Sequence, residues 1–162
     1  MALQPGTEAP DFSLTHGDAQ TTVTLSEALG DGPVLLLFYP LAFTSVCTDE
    51  MCTLANDYSA YEAMDATVFA ISVDSPFAAA RFAEACGAGF PFLSDFNRAA
   101  SQAYGVLRPS LGELEGVSER AAFVIDADGL ITYTWVGEHP GVFPPLEEIK
   151  EAVQAARSPS PA

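Results

Sequence analysis

An unbroken apolar run, Val34–Tyr39, closed by Gly32-Pro33 on one side and Pro40 on the other, sets the first constraint on this fold. It lacks the polar alternation of a half-solvated strand, so it reads as a strand buried inside a sheet. It is also far too short to cross a bilayer, which takes about 20 apolar residues. A helical pattern follows from Ser45 to about Met64, with Cys47, Met51, Leu54, Ala55 and Tyr58 on one apolar stripe. Thr67–Val73 is a second buried strand. Pro76 opens a helix that stops at Gly87, and Asn97–Tyr104 is a short helix ended by Gly105. Ala121–Ile125 and Leu130–Trp135 read as strands of a hairpin turned at Asp128-Gly129. A last helix has Pro145 near its first turn and Leu146, Ile149 and Val153 on one face. This order predicts an α/β fold with a central mixed sheet flanked by helices. The 162 residues suit a single domain over 1–157, with the Ser-Pro-Ser-Pro stretch of 158–162 as a disordered tail.

Charge narrows the function. The formal net charge is −16, from 22 acidic residues against 6 basic ones. Such a field repels phosphates and anionic lipid surfaces, so neither nucleic acid nor membrane is expected as a partner. The acids are dispersed through separate segments rather than gathered in a block, which suits solubility in a salty, halophilic cytoplasm better than docking to one basic partner. No basic stretch followed by an apolar one opens the chain, so a cytoplasmic location is expected. Three cysteines, Cys47, Cys52 and Cys86, form an odd set that argues for reactive or buried thiols over a disulfide framework. His16 and His139 lie in unrelated turn-like segments away from the cysteines, so no metal or cofactor is expected.

The chemistry concentrates between Phe38 and Cys52. A buried strand ends at Pro40, a short loop follows, and Thr44 or Ser45 stands where a helix N-cap belongs. Cys47 then falls in the first helical turn, where unpaired N–H groups and the helix dipole favour thiolate over thiol. The thiolate is the attacking form. The same position on an apolar stripe also suits a packed core thiol, and both readings stand on the local pattern alone.

The motif Pro40-x-x-x-Thr44-x-x-Cys47 resembles the active-site motif of the peroxiredoxin family. Gly6-x-x-Ala-Pro-Asp-Phe-x-Leu14, Phe90-Pro-Phe-Leu-Ser-Asp95, Ala103-Tyr-Gly-Val106 and Arg120 before Phe123-Val-Ile-Asp126 extend the resemblance along nearly the whole chain. It implies a thioredoxin-like fold and the reduction of hydrogen peroxide or organic hydroperoxides. By position, Cys47 is then the peroxidatic cysteine, Thr44 hydrogen-bonds the sulfur and peroxide, Arg120 stabilises thiolate and developing charge, and Pro40 shields the sulfur from water. Ala122 departs from the family, where threonine is common. A thioredoxin-like dithiol is the expected reductant, and the chain is expected as a monomer or homodimer.

The resemblance leaves resolution of the sulfenic acid open. The Cys47–Cys52 spacing is similar to the peroxiredoxin Q (bacterioferritin comigratory protein) group, which implies Cys52 as the resolving cysteine. Pro40-Leu-Ala-Phe-Thr44 with Ser94-Asp-Phe96 also resembles the one-cysteine alkyl hydroperoxide reductase E group, which implies an external thiol. Five residues along a helix separate Cα atoms by roughly 8.6 Å, beyond the ~6.8 Å a disulfide usually spans. Direct pairing of Cys47 with Cys52 therefore requires the first turns to unwind. Cys86, one turn after Phe82 on an apolar stripe, reads as core; the cysteine that some relatives resolve from lies nearer Ala83. A general thiol–disulfide oxidoreductase would use Cys-x-x-Cys, which is absent here. A non-catalytic module would not be expected to keep Pro40, Thr44, Cys47 and Arg120 together.

Overall fold

In the computed structural model, which describes residues 1–157, the Val34–Tyr39 run supplies a central strand. The tail expected over 158–162 lies outside the described residues. In chain order the elements are β1 (Ser13–Thr15), β2 (Thr22–Thr24), α1 (Leu25–Ala28), β3 (Val34–Phe38), α2 (Ser45–Asn56) and α3 (Tyr58–Glu62). Next come β4 (Thr67–Ser72), α4 (Pro76–Cys86), β5 (Phe92–Ser94), α5 (Ala99–Ala103), β6 (Leu107–Leu111) and β7 (Leu114–Ser118). β8 (Ala121–Ile125), β9 (Ile131–Val136) and α6 (Leu146–Arg157) complete the fold. The main sheet runs β2-β1-β5-β4-β3-β8-β9, and β6 and β7 form a separate hairpin. β3 is parallel to β4 and antiparallel to β8, so the sheet is mixed.

Every residue of β3 is buried, and alternation along it feeds two cores. Leu35, Leu37 and Tyr39 face α2, α4 and α6, where Met51, Phe82, Ile149 and Val153 cover them. Val34, Leu36 and Phe38 face the other way, onto Leu25, Ala100, Tyr104 and Phe123. Each fully buried leucine contributes roughly 1.5–3 kcal/mol, enough to offset the ~1–2 kcal/mol of backbone entropy lost at its position.

The helix expected from Ser45 to about Met64 is two helices. Asp57, at φ −105° and ψ 9°, interrupts it. There the backbone changes to tighter bonds, from Asp57 N–H to Leu54 C=O and from Ala60 N–H to Asp57 C=O. Asn and Asp side chains compete with the helical backbone, and no glycine or proline marks the place. The helix expected over Asn97–Tyr104 begins only at Ala99, because Arg98 adopts φ 65° and the Asp95 carboxylate accepts the Ala100 and Ser101 N–H groups instead. The α4 helix follows its signals: Ser75 Oγ accepts from Ala78 N–H, Pro76 takes the first turn, and Gly87 ends it in the left-handed region at φ 65°.

Register positions the chemistry. Phe38 pairs with Ala121, so the residue before β8, Arg120, stands beside the chain just beyond the end of β3. The loop leaving β3 leads directly into α2.

Candidate active site

The loop from Pro40 to Thr44 is pinned before α2 begins. Tyr39 N–H donates to Ile71 C=O at the end of β4. Ala42 N–H donates to Asp74 Oδ2 at 2.8 Å, and Ser72 Oγ donates to the same oxygen at 2.6 Å. Phe43 turns the chain at φ 66°, unusual for a residue with a bulky side chain. Thr44 is the N-cap residue; its C=O accepts both the N–H and the hydroxyl of Thr48. Its own hydroxyl donates to Leu41 C=O at 2.9 Å, and it makes no side-chain cap bond.

Cys47 is the third residue of α2, within the turn whose N–H groups have no helical partner. It is fully buried and is the free cysteine of the molecule. The structure brings Arg120 to it across 73 residues of sequence: Nη2 donates to Sγ at 3.0 Å. The same guanidinium donates through Nη1 to Glu50 Oε1 at 3.2 Å and through Nε to Pro140 C=O at 2.9 Å. Arg120 is only 2% exposed. A buried cation donating directly to sulfur stabilises a thiolate more than a thiol.

Glu50 is the residue that sequence reasoning missed. It lies one turn after Cys47, is 1% exposed, and its Oε2 has no hydrogen-bond partner among the described residues. Burial pushes its carboxyl up to about 7, with the Arg120 charge and hydrogen bond opposing the shift. An acid on a helix ordinarily reads as solvated. The available signal was its three-residue spacing from Cys47, beside Met51 and Leu54 on the buried stripe.

Beside Arg120 lies an open cleft of about 220 Å³, lined among others by Pro40, Thr44, Val46, Leu111, Arg120 and Pro140. Four of the sequence-selected positions thus converge, with Pro40, Thr44 and Arg120 in the cleft and Cys47 against the Arg120 side chain. Leu111 comes from the β6–β7 hairpin, which the sequence reading did not foresee.

The remaining two cysteines are arranged differently from expectation. Cys52 is not bonded to Cys47; it forms a disulfide with Cys86, with Cα atoms 4.6 Å apart. The expectation of Cys86 as a plain core thiol is corrected accordingly. It does pack against the buried cluster, but it is only half-buried at the end of α4, facing α2. The reason is tertiary: helices α2 and α4 lie side by side on one face of the sheet, which brings positions 34 residues apart together.

A family model described as AhpC/TSA matches residues 5–134. The chain belongs to the AhpC/TSA family. Alkyl hydroperoxide reductase E of Mycobacterium tuberculosis is 41% identical over 133 residues, covering 81% of this chain and 84% of the relative. A putative peroxiredoxin of Synechocystis, sll0755, is 36% identical over 142 residues, covering 83% of this chain and 69% of the relative. Among solved structures, peroxidoxin BcpB from Mycobacterium tuberculosis superposes with a TM-score of 0.83 at 32% identity, covering 96% of this chain and 99% of that one. This AhpC/TSA protein is therefore a peroxiredoxin of thioredoxin-like fold, a thiol-dependent peroxidase. Among its described residues no helix is long and apolar enough to cross a membrane.

Proposed function

We propose that residues 1–157 act as one domain that reduces hydrogen peroxide and small organic hydroperoxides with Cys47 as the nucleophile. The observation that carries this reading is the 3.0 Å contact from Arg120 Nη2 to the sulfur of a free thiol at a helix N-terminus. The Cys47 thiolate attacks the terminal peroxide oxygen, the O–O bond breaks, and Cys47 becomes a sulfenic acid while the alkoxide or hydroxide leaves. Arg120, fixed on three sides, stabilises the charge that passes from sulfur to oxygen. Pro40 excludes bulk water. The Thr44 hydroxyl, at the cleft wall, turns from Leu41 C=O to the peroxide.

Cys52 is the first resolving thiol in this reading, and a thioredoxin-like dithiol restores the reduced enzyme. The protein works in a salty cytoplasm, as a monomer or homodimer; its dispersed acids support that setting. A second reading is favoured by one observation, since the Cys52–Cys86 bond leaves Cys47 unpaired as in a one-cysteine peroxidase. In that case an external thiol resolves the sulfenic acid. Stopped-flow consumption of hydrogen peroxide by wild type and Cys47→Ser tests the central claim. Loss of consumption in the variant is expected, and retained turnover would refute it.

A further inference from the structure

We propose that the three cysteines form a relay in which oxidising equivalents pass from Cys47 through Cys52 to Cys86, so that Cys86 is a catalytic residue and Cys52–Cys86 is the disulfide presented to the reductant. The proposal rests on Cys47 being the peroxidatic cysteine and adds what happens after its oxidation.

Three observations carry it. First, Cys47 and Cys52 sit five residues apart on a continuous helix, so their side chains point about 140° apart around its axis. A bond between them cannot form while Ser45–Asn56 stays helical. Second, the Cys52–Cys86 bond coexists with an intact α2 and with Cys47 held by Arg120. Of the two disulfides open to Cys52, this is the one compatible with a folded active site. Third, accessibility is divided. Cys47 is fully buried, whereas Cys52 and Cys86 are both half-buried, and Cys86 is the last residue of α4 before the Gly87 cap. A dithiol approaching from solvent meets the second pair first.

Each step balances. Cys47 sulfenic acid and the Cys52 thiol condense to a Cys47–Cys52 disulfide and water while the first turns of α2 unwind. The Cys86 thiolate then attacks the Cys52 sulfur, forming Cys52–Cys86 and releasing Cys47 as a thiolate. The helix rewinds and Arg120 takes the thiolate back. An external dithiol finally reduces Cys52–Cys86 by two electrons and leaves as its own disulfide. Cys47 is thus ready for a second peroxide before the reductant has arrived.

The test is a quench-flow experiment on the full chain, reduced with dithiothreitol, desalted and given one equivalent of hydrogen peroxide. Acid quenching, alkylation and peptide mass spectrometry then follow each sulfur. In wild type a Cys47–Cys52 disulfide should rise and decay into Cys52–Cys86, with Cys47 again alkylatable. Cys86→Ser should oxidise Cys47 at the wild-type rate, stop at Cys47–Cys52, and lose several-fold in turnover with dithiothreitol. In Cys47→Ser, peroxide should form Cys52–Cys86 far more slowly than in wild type. Equal formation there would make that bond independent of Cys47 and overturn the relay. A wild-type Cys47 sulfenic acid that persists beside reduced Cys52 and Cys86 would also overturn it. That last result leaves the peroxidase reading intact, because Cys47 oxidation is followed separately. The wild-type time course needs no substitution, so a poorly folded variant would not spoil the test.

Discussion

The two faces of the central sheet are built from alternate residues of the same strands, yet they differ sharply. Under α2, α4 and α6 the buried layer includes Cys47 and abuts two buried charged groups, Glu50 and Arg120. On the opposite face Phe38, Tyr104 and Phe123 pack with centroids 5.1–5.7 Å apart, in a cluster of apolar and aromatic side chains. A buried ion pair is a poor source of stability, because desolvation consumes most of its attraction. The comparison therefore assigns reactivity to one face and stability to the other. Substitutions should separate along the same division.

The largest effect is expected at the reactive face. Cys47→Ser should abolish peroxide turnover while the melting temperature stays near that of wild type, since serine lacks a strong base to activate it. Arg120→Ala should slow Cys47 oxidation by roughly 10- to 1,000-fold, the scale for losing one transition-state donor; an unchanged second-order rate constant at pH 7 would show that Arg120 is not that donor. On the other face, Leu36→Ala should cost about 2–5 kcal/mol in urea unfolding. Its folded fraction should keep the wild-type rate constant, and a large loss of rate there would break the division between faces.

Glu50→Gln should act more subtly. The Glu50 carboxyl is held at about 7 in the folded protein, above its ordinary value of 4.5, so the folded state binds this proton more tightly than the unfolded chain. The stability tied to that proton is fully present below about pH 4.5 and is lost as pH rises through about 7. Relative to wild type, Glu50→Gln should flatten the decline in stability between those pH values, with Cys47 oxidation changed less than about tenfold because the amide oxygen still accepts from Arg120. Parallel pH–stability curves for the two proteins would remove the assigned proton. The smallest effect is common to both faces. Moving from molar salt to dilute buffer should lower the melting temperature, because a net charge of −16 then repels over a longer distance. A flat response would withdraw the salty-cytoplasm reading and leave catalysis untouched.

Legibility in the sequence followed the range of the physics involved. The β3 strand, the Pro76 start and Gly87 end of α4 and the Asp128-Gly129 turn depend on a few adjacent residues and are readable. Cys47 at a helix start was readable for the same reason. Its pairing with Arg120 needed the family resemblance, since β3–β8 register, not local pattern, brings position 120 to position 47. The Cys52–Cys86 bond depends on how two helices lie across a sheet, and periodicity within either helix is silent on that. The Phe82–Cys86 stripe reads as core, which describes part of its packing but not its bond. The β6–β7 hairpin escapes the pattern because it carries Pro109 and Gly112 and is largely exposed or half-buried, so it lacks the apolar alternation that announces a strand.

The three-point hold on Arg120 has a consequence for how the reaction rate depends on temperature. A free arginine side chain carries about 2 kcal/mol of rotamer entropy, normally lost when it closes on a charged partner. Here bonds to Pro140 C=O, Glu50 and Cys47 have frozen those torsions before any peroxide enters. The activation entropy of the first oxidation should therefore contain little from this side chain, with the peroxide's own immobilisation as the main entropic cost. An Eyring plot for Glu50→Ala, which frees one side of the guanidinium, should show a more negative activation entropy than wild type.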